Sequence, residues 1–286
     1  MQTVRTKAEL QDKVKAFKAA GQTVAFVPTM GALHAGHLSL VNYGKNLCDR
    51  VVASVFVNPK QFGPNEDYAS YPRQESSDME KLRTAGVDMV YMPEANAMFP
   101  EHFTTKVHVG EVSEGLCSVT RPHFFDGVAT VVAKLLLRVM PDIAIFGEKD
   151  YQQLTVIKRM VRDLDIPVEI KGAAIVREVD GLAMSSRNVY LNAQQRKIAP
   201  RIYEVLCDAA EKMIAEPGRV AQHLTWARAV LEDAGFDKVD YIELRDEDYL
   251  HPLALLDKSA RLFVAAYLGQ CRLIDNIAVE PADIEV

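Results

Sequence analysis

The sequence predicts an α/β fold with a parallel β-sheet and crossover helices, followed by a smaller α+β domain. Two observations lead to this fold class. Over roughly the first 175 residues, short continuous apolar runs alternate with longer stretches whose apolar residues recur at helical spacing, which is typical of β-α-β units. After that point the alternation gives way to a helical region and then to three strand-like runs.

Length and composition fit an ordinary globular protein. The chain has 286 residues, 49% hydrophobic and 25% charged, which is enough for one large domain or two modest ones. The net charge of −6 argues against a nucleic-acid or membrane-surface protein. The four cysteines lie far apart without a C-x-x-C pair, so we expect reduced thiols. The N-terminus lacks the apolar core of a secretory signal, and Lys134 and Arg138 interrupt the most apolar stretch, so we expect a cytoplasmic protein without a membrane span.

The first predicted element is an amphipathic helix. Thr6 and Glu9 have the spacing of a capping box, and Leu10 and Val14 then fall on one helical face before Gly21 ends the segment. Strands and helices alternate from there. The apolar run at 24–27 predicts a buried strand, followed by a turn at 28–36 and a helix that carries Leu38, Val41 and Leu47 inward. The further predicted strands are 51–57, 89–92 and 143–146, and the further predicted helices are 77–85, 128–139 and 151–161.

The alternation of strands and helices ends after about residue 175. A long helical region is predicted over 193–213, a break at Pro217-Gly218, and another helix up to Ala234. Strand-like runs follow at 239–244, 261–267 and 272–278. We therefore predict two domains: a Rossmann-like, doubly wound parallel sheet over 1–175 and a smaller α+β domain over 176–286. In such sheets ligands bind beyond the carboxyl ends of the strands.

The most informative segment is Pro28-Thr-Met-Gly-Ala-Leu-His-Ala-Gly-His37, which follows a predicted strand and enters a predicted helix. Gly31 and Gly36 permit close approach of a ligand to the backbone, and unpaired amides at the helix start favour a phosphate. His34 and His37 can add side-chain donors to a phosphoryl group in transfer. The segment therefore predicts a phosphate site.

Two other interpretations of these histidines are open. They could form half of a zinc site, although no H-E-x-x-H pattern is present and another ligand would have to come from elsewhere. They could also be ordinary histidines of a structural turn. The glycines and the helix start favour phosphate binding. Neither G-x-x-x-x-G-K-[ST] nor G-x-G-x-x-G occurs in the sequence, so a P-loop kinase or a dinucleotide oxidoreductase is not supported.

Two further polar segments carry suitable chemistry. In residues 147–150, Lys149 can bring a compact positive charge to the sheet edge, while Asp150 can cap the next helix and accept a ribose hydroxyl. Residues 184–187 provide two hydroxyls and a guanidinium, which suit triphosphate oxygens. Taken alone, the first could be a solvated strand-to-helix loop and the second a hydrophilic linker.

The H-x-G-H of residues 34–37 resembles the signature of the nucleotidyltransferase superfamily, in which it binds ATP phosphates. The longer P-T-M-G-A-L-H-A-G-H is similar to the pantothenate synthetase family of pantoate–β-alanine ligases. One segment departs from that family's pattern, because R-P-H-F-F-D-G-V at 121–128 has its histidine one place earlier, so His123 is left out of the site. The other matching segments are F-V-N-P-K-Q-F at 56–62, Y-P-R at 71–73, G-V-A-T-V-V-A-K-L at 127–135, F-G-E-K-D-Y-Q-Q-L at 146–154, M-S-S-R-N at 184–188 and R-L-I-D-N-I at 272–277.

The resemblance implies an activity and a set of ligands. The expected reaction is the ATP-dependent condensation of (R)-pantoate with β-alanine to pantothenate, through a pantoyl adenylate and with release of AMP and pyrophosphate. It further implies Mg²⁺ bound through the ATP phosphates and a homodimer. From the acidic net charge we expect no nucleic-acid or membrane partner. The first domain would bind ATP and pantoate, and the second would close over the site. Two rival functions are a plain nucleotidyltransferase and a nucleotide-binding regulatory protein without turnover.

The resemblance also implies the roles of individual residues. No residue is expected to ligate a metal directly. Gln61 and Gln153 are expected in the pantoate pocket, with Gln61 also reaching β-alanine. The expected catalytic residues are His34, His37, Lys149, Ser185, Ser186 and Arg187. The expected ATP-binding residues are Met30, Gly31, Ala32, Leu33, His34, Ala35, Gly36, His37, Gly147, Glu148, Lys149, Asp150, Val176, Met184, Ser185, Ser186 and Arg187.

The sequence supports a more specific prediction for the role of His37. It lies at the predicted start of a helix, where the positive end of the helix dipole disfavours an imidazolium. We therefore expect His37 to act near neutral pH as a neutral N–H donor to a phosphate oxygen.

Overall fold

The computed structural model describes residues 1–64 and 66–282. By its internal contacts the chain divides into two compact units. The first comprises Met1–Glu148 and Gln152–Ala174, and the second comprises Lys149–Tyr151 and Ile175–Val286. The short segment Lys149–Tyr151 thus belongs to the second unit, although residues of the first unit flank it in sequence.

The first unit contains a six-stranded parallel sheet with the strand order β1-β4-β3-β2-β5-β6. From β2, the next two strands of the chain extend the sheet in one direction, and β5 and β6 extend it in the other. The direction of winding therefore reverses between β2 and β5, which is where such sheets bind ligands. The predicted doubly wound parallel sheet is confirmed. The strands are β1 (Gln2–Val4), β2 (Val24–Thr29), β3 (Arg50–Val55), β4 (Met89–Tyr91), β5 (Ile143–Gly147) and β6 (Glu169–Ala173).

Seven helices accompany this sheet along the described chain. The first begins with the predicted capping box, in which the Glu9 amide donates to Thr6 Oγ1 and the Thr6 amide donates to the Glu9 carboxylate. The helices are α1 (Lys7–Ala19), α2 (Ala35–Leu47), α3 (Glu75–Thr84), α4 (Ala95–Met98), α5 (Cys117–Thr120), α6 (Phe124–Val139) and α7 (Tyr151–Asp163). Single 3₁₀ turns lie at Pro59–Gln61, Glu111–Ser113 and Glu148–Asp150.

The packing of α2 on the sheet fixes where the turn after β2 lies. Alternate residues of β2, Ala25 and Val27, share one apolar cluster with Leu40 and Val41 of α2. At Gly44 the approach is very close, because a Cβ there would lie 3.1 Å from the Ala25 Cβ. The helix is thus seated on the strand that precedes it, and the turn between them is short.

Two sequence expectations for this region need correction. The turn is shorter than predicted, because β2 continues through Pro28 to Thr29. Pro28 is tolerated there because pairing with β5 has ended at Phe26, so no ladder bond is lost on that side. Leu47 is 39% exposed, whereas Leu40 is buried. Seven residues span nearly two helical turns, so Leu40 and Leu47 lie on the same face of α2. Leu47 is exposed because it lies at the end of the helix.

The two edge strands, β1 and β6, were not predicted from the sequence. In β1 only Val4 is buried, and β6 contains no fully buried residue. A strand at a sheet edge lacks the continuous apolar run that marks a buried parallel strand. These two strands are defined by their pairing with β4 and β5, which no local pattern reveals.

The second unit is built on a three-stranded antiparallel sheet, β7 (Lys238–Asp246), β8 (Ala260–Leu268) and β9 (Cys271–Val279). Its helices are α8 (Ala193–Ile198), α9 (Arg201–Ala215) and α10 (Val220–Asp233), with 3₁₀ turns at Ser186–Tyr190 and Pro217–Arg219. These helices and strands share one apolar cluster. The predicted smaller α+β architecture and its three strands are confirmed.

One helix prediction in this unit was wrong. The region 193–213 forms two helices, because α8 ends at Ile198 and α9 begins at Arg201. Pro200 lies between them and has no amide hydrogen to continue the ladder of α8.

All four cysteines carry free thiols, as expected from their spacing. Across residues 1–64 and 66–282, no helix is both long enough and apolar enough to cross a bilayer.

Candidate active site

The two histidines of H-x-G-H cap the helix that they begin. His34 is the N-cap of α2, and its Nδ1 accepts from the Gly36 amide at 3.2 Å. His37 is the third residue of the helix, and its Nδ1 accepts from the His34 amide at 3.4 Å. The two ring centroids lie 4.1 Å apart. The arrangement is a capping box in which both side chains are imidazoles.

This cap determines which ring nitrogen carries the proton. When Nδ1 of a neutral imidazole accepts a hydrogen bond, the hydrogen is on Nε2. His34 and His37 both use Nδ1 as the acceptor, so in the neutral state both have an Nε2–H donor. That is the state expected for His37 as a donor to a phosphate oxygen.

The expectation of unpaired amides at this helix start is wrong for Gly36 and His37. The Gly36 amide donates to the His34 ring, and the His37 amide donates to the His34 carbonyl at 2.9 Å. The amides of Ala32 and Leu33, just before the helix, donate to the buried carboxylate of Asp78. Within this turn, the imidazoles rather than these four amides are therefore the groups suited to phosphate.

The turn that carries Gln61 is held by a buried asparagine. Asn58 is 1% exposed, and its Nδ2 donates to Gln61 Oε1 at 2.9 Å and to the Gly127 carbonyl at 3.0 Å. Arg121 donates to the Gln61 carbonyl at 3.0 Å. A Cβ on Gly127 would lie 2.1 Å from the Lys60 carbonyl oxygen, so only glycine allows α6 to pack this closely on the turn.

The two neighbouring glutamines of α7 differ in their surroundings. Gln152 is buried, its Oε1 accepts from the Cys117 amide, and its Nε2 donates to carbonyls between Val112 and Gly115. Gln152 is thus occupied in holding that loop. Gln153, the sequence-predicted pantoate ligand, is partly exposed.

The segment after β5 is anchored to the second unit's sheet. Gly147 ends β5, and Glu148–Asp150 forms a single 3₁₀ turn before α7. Nδ2 of the Asn276 side chain, on β9, donates to the Lys149 carbonyl at 3.0 Å, and Arg261 donates to Asn276 Oδ1 at 2.7 Å. The Arg261 guanidinium also stacks 3.7 Å from the Tyr151 ring centroid. The backbone that carries Lys149 is therefore fixed by side chains of β8 and β9.

The remaining predicted ATP ligands of the second unit lie on one hairpin-like loop. The Met184 amide donates to the Val176 carbonyl at 3.0 Å, and Arg177 and Ala183 form an antiparallel bridge. Ser185 then caps the 3₁₀ turn that follows, because its Oγ accepts from the Arg187 amide at 3.2 Å. The fold thus brings Val176 to the 184–187 segment, which lies well beyond it in sequence.

Four residues that hold the candidate site residues in place were not predicted from the sequence: Asn58, Asp78, Gly127 and Asn276. Asn58 and Asn276 lie within the matching segments 56–62 and 272–277, and Gly127 begins the segment 127–135. The resemblance could have identified these three, but a local pattern could not. Asp78 lies outside the matching segments, and no local pattern marked it.

No group of three or more His, Cys, Asp or Glu side chains in the described ranges could hold a metal ion. The zinc interpretation of His34 and His37 therefore lacks a third protein ligand within residues 1–64 and 66–282.

The sequence profile of the pantoate–β-alanine ligase family matches residues 2–278. The chain belongs to this family. Among its relatives, the pantothenate synthetase of Paramagnetospirillum magneticum is 56% identical over 278 residues, which are 97% of this chain and 98% of the relative. The pantothenate synthetase of Caulobacter vibrioides is 53% identical over 279 residues, 96% of this chain and 98% of the relative.

Solved structures of pantoate–β-alanine ligases have the same fold. The pantothenate synthetase of Thermus thermophilus superposes with a TM-score of 0.91 at 47% identity, covering 98% of this chain and all of that one. The ligase of Francisella tularensis, solved with β,γ-ATP and β-alanine, has a TM-score of 0.81 at 34% identity and covers 97% of both chains. The family resemblance given by the sequence motifs is confirmed.

Proposed function

We propose that this protein joins (R)-pantoate to β-alanine in an ATP-dependent reaction that yields pantothenate, AMP and pyrophosphate. The observation that carries the proposal is family membership over residues 2–278. The two-histidine cap at the start of α2 supports it, because both imidazoles in their neutral form would have Nε2–H donors suited to a phosphoryl group in transfer.

In the first half-reaction, a pantoate carboxylate oxygen attacks the α-phosphorus of ATP. The bond from that phosphorus to the oxygen that bridges it to the β-phosphate breaks, and pyrophosphate leaves. The step is needed because a carboxylate is a poor acyl donor, whose leaving group would be oxide. The protein mainly aligns the reactants and stabilises charge on the phosphoryl oxygens.

In the second half-reaction, the neutral amine of β-alanine attacks the carbonyl carbon of pantoyl adenylate. The bond from that carbon to the phosphate oxygen breaks, AMP leaves, and the amine loses a proton as the amide forms. No covalent bond to the protein is required in either step.

We assign the phosphoryl contacts to six side chains. His34 and His37 would donate to phosphate oxygens, Lys149 would supply a point charge, and Arg187 a planar fork of donors. Ser185 and Ser186 would add hydroxyl donors. The other proposed ATP contacts are Met30, Gly31, Ala32, Leu33, Ala35, Gly36, Gly147, Glu148, Asp150, Val176 and Met184.

We assign the binding of pantoate and β-alanine to the side-chain amides of two glutamines. Gln61 and Gln153 can both donate and accept, which suits the hydroxyls and the carboxylate of pantoate. The side chain of Gln61 is oriented by Asn58, and we propose that it also reaches β-alanine.

Three broader parts of the proposal rest on the family resemblance. Magnesium would be held by the ATP phosphates. When bound, it would neutralise phosphate charge. We further propose that the protein is a cytoplasmic homodimer, and that the second unit closes over the site.

Mass spectrometry of the products from ATP, pantoate and β-alanine tests the proposed function directly. We expect pantothenate and free AMP, with AMP release dependent on β-alanine. A nucleoside monophosphate left attached to its acceptor would mean a plain nucleotidyltransferase. No pyrophosphate release under any substrate combination would favour a regulatory nucleotide-binding protein.

The order of the two half-reactions has its own test. We expect positional isotope exchange in ATP labelled with ¹⁸O at the αβ bridge when pantoate is added without β-alanine, because adenylation needs no amine. Exchange that strictly required β-alanine would contradict the stepwise mechanism.

A further inference from the structure

A buried carboxylate contacts the loop that leads into His34. Asp78 on α3 is 2% exposed. Its Oδ2 accepts from the Ala32 amide and its Oδ1 from the Leu33 amide, both at 2.8 Å. The two residues it contacts lie immediately before the histidine cap. The carboxylate therefore fixes the backbone from which the cap begins.

The loop has an unusual backbone conformation. Gly31 has a φ of +83° and Ala32 a φ of +50°, so two successive residues are left-handed. The two successive amides of Ala32 and Leu33 both donate to the Asp78 carboxylate. A left-handed alanine costs energy and persists only when its surroundings hold it. The two hydrogen bonds from Asp78 are such a restraint.

A second side chain of α3 holds the same loop. Lys81, three residues after Asp78, donates from Nζ to the Leu33 carbonyl at 2.7 Å. The amide of Leu33 is therefore fixed by one residue of α3 and its carbonyl by another. Both contacts come from a single helix, so they restrain the loop as one unit.

The restraint continues into the histidine cap. The Leu33 carbonyl and the His34 amide belong to the same planar peptide group. That His34 amide donates to Nδ1 of His37. The orientation of this one peptide group, set through α3, therefore influences both the ring direction and the tautomer of His37.

Burial of a carboxylate is costly unless it is hydrogen-bonded, and an apolar residue of similar size often serves stability equally well. The buried carboxylate of Asp78 is thus better explained by the loop conformation that it holds than by a contribution to the stability of the fold. We propose that Asp78 is a positioning residue for His37, which it serves by holding residues 31–33 in the conformation that orients the cap. The proposal rests on the proposed role of His37 in adenylation.

Asp78→Asn tests the proposal with an almost isosteric change. It replaces one accepting oxygen with an NH₂ group, which would face a backbone N–H at 2.8 Å. We expect single-turnover formation of pantoyl adenylate to slow by about 10-fold to 100-fold, because small displacements of an aligned group have effects of this order. Deuterium exchange at the Ala32 and Leu33 amides should become faster.

Glu80→Gln is the matched control. It removes the same charge from the same helix, but Glu80 is exposed and pairs with Arg83. We expect wild-type adenylation. A second comparison measures Asp78→Asn in a His37→Ala background. If Asp78 acts through His37, the rate loss there should shrink to within about threefold. An equal loss in both backgrounds would show a merely structural role and overturn the proposal.

If Asp78→Asn does not fold, Gly31→Ala provides a second test of the proposal. An alanine Cβ there would lie 3.0 Å from Asp78 Oδ2, at a φ that disfavours any side chain. We expect the same slowing of adenylation in a folded variant. A wild-type rate in Gly31→Ala, or in a folded Asp78→Asn, would overturn the proposal. Failure of the wild-type chain to form pantoyl adenylate would instead refute the proposed function.

Discussion

The two segments that carry the proposed phosphate contacts of His37 and Lys149 are held in different ways. The histidine turn fixes much of its own geometry, because His34 and His37 are three residues apart and cap one helix. The Lys149 segment has its backbone carbonyl bound by Asn276, which lies 127 positions later in the chain. The first arrangement can be recognised locally in a sequence. The second depends on the assembly of the second unit.

The largest expected effect comes from the Lys149 segment. Lys149→Ala should slow adenylation by about 100-fold to 1000-fold, the usual range for loss of a positioned donor in a charge-stabilising site. ATP binding should be affected less if the ammonium contacts charge that develops during transfer. Single-turnover rates and equilibrium ATP binding separate the two. An unchanged single-turnover rate would remove Lys149 from the mechanism.

The histidine turn allows a graded test. His37→Ala removes the donor and should slow adenylation on the order of 100-fold, whereas His37→Gln keeps a neutral donor and should retain appreciably more activity. Both variants should remain folded by thermal unfolding. Equal and complete loss in both would point to proton transfer or metal ligation. Wild-type rates in both would contradict the phosphate-binding interpretation of H-x-G-H.

The turn that carries Gln61 is held in a third way, by the close packing of α6 against it. Gly127→Ala places a Cβ 2.1 Å from the Lys60 carbonyl oxygen, so the turn or α6 must move. We expect the KM for pantoate to rise about 10-fold and the free energy of unfolding to fall by about 1–3 kcal/mol. Gly110→Ala is the control, since nothing lies within 4 Å of its Cβ position. Unchanged pantoate kinetics in Gly127→Ala would mean that this turn does not bind pantoate.

Asn276→Asp tests whether the distant support of Lys149 matters to the chemistry. It turns the amide donor to the Lys149 carbonyl into an acceptor, so we expect adenylation to slow by up to about tenfold. Asn192→Asp is the matched control in the same unit, because Asn and Asp cap helices about equally well and Asn192 is an exposed N-cap. Equal adenylation rates in the two variants would show that the contact does not orient Lys149.

The smallest effect on activity is expected at Asp240 of β7. Its side chain is 2% exposed and pairs with Lys238 and Arg272. Burial opposes its ionisation, but hydrogen bonds from Lys238 and Arg272 outweigh burial and lower the pKa of Asp240. A lowered pKa stabilises the fold above the ordinary Asp value of about 3.9, and this contribution is lost as the pH falls through the lowered value.

Asp240→Asn should therefore reduce the free energy of unfolding by about 1–3 kcal/mol at pH 7, with adenylation unchanged. Denaturant unfolding at several pH values provides the check. The difference from wild type should be constant down to about pH 5 and shrink below about pH 4. A difference that grew towards acid pH would contradict the sign of the pKa change.

The sequence by itself determined the parallel sheet, the smaller α+β unit, the α1 capping box and the segments that mark the family. These features depend on residues close together in the chain, where helical spacing, caps and buried apolar runs leave a direct pattern. Tertiary structure decided the edge strands β1 and β6 and the contacts of Asp78 and Asn276 with the candidate site. Each of these depends on a partner many residues away, and pairing at such distances follows from the folded chain's packing rather than from local spacing.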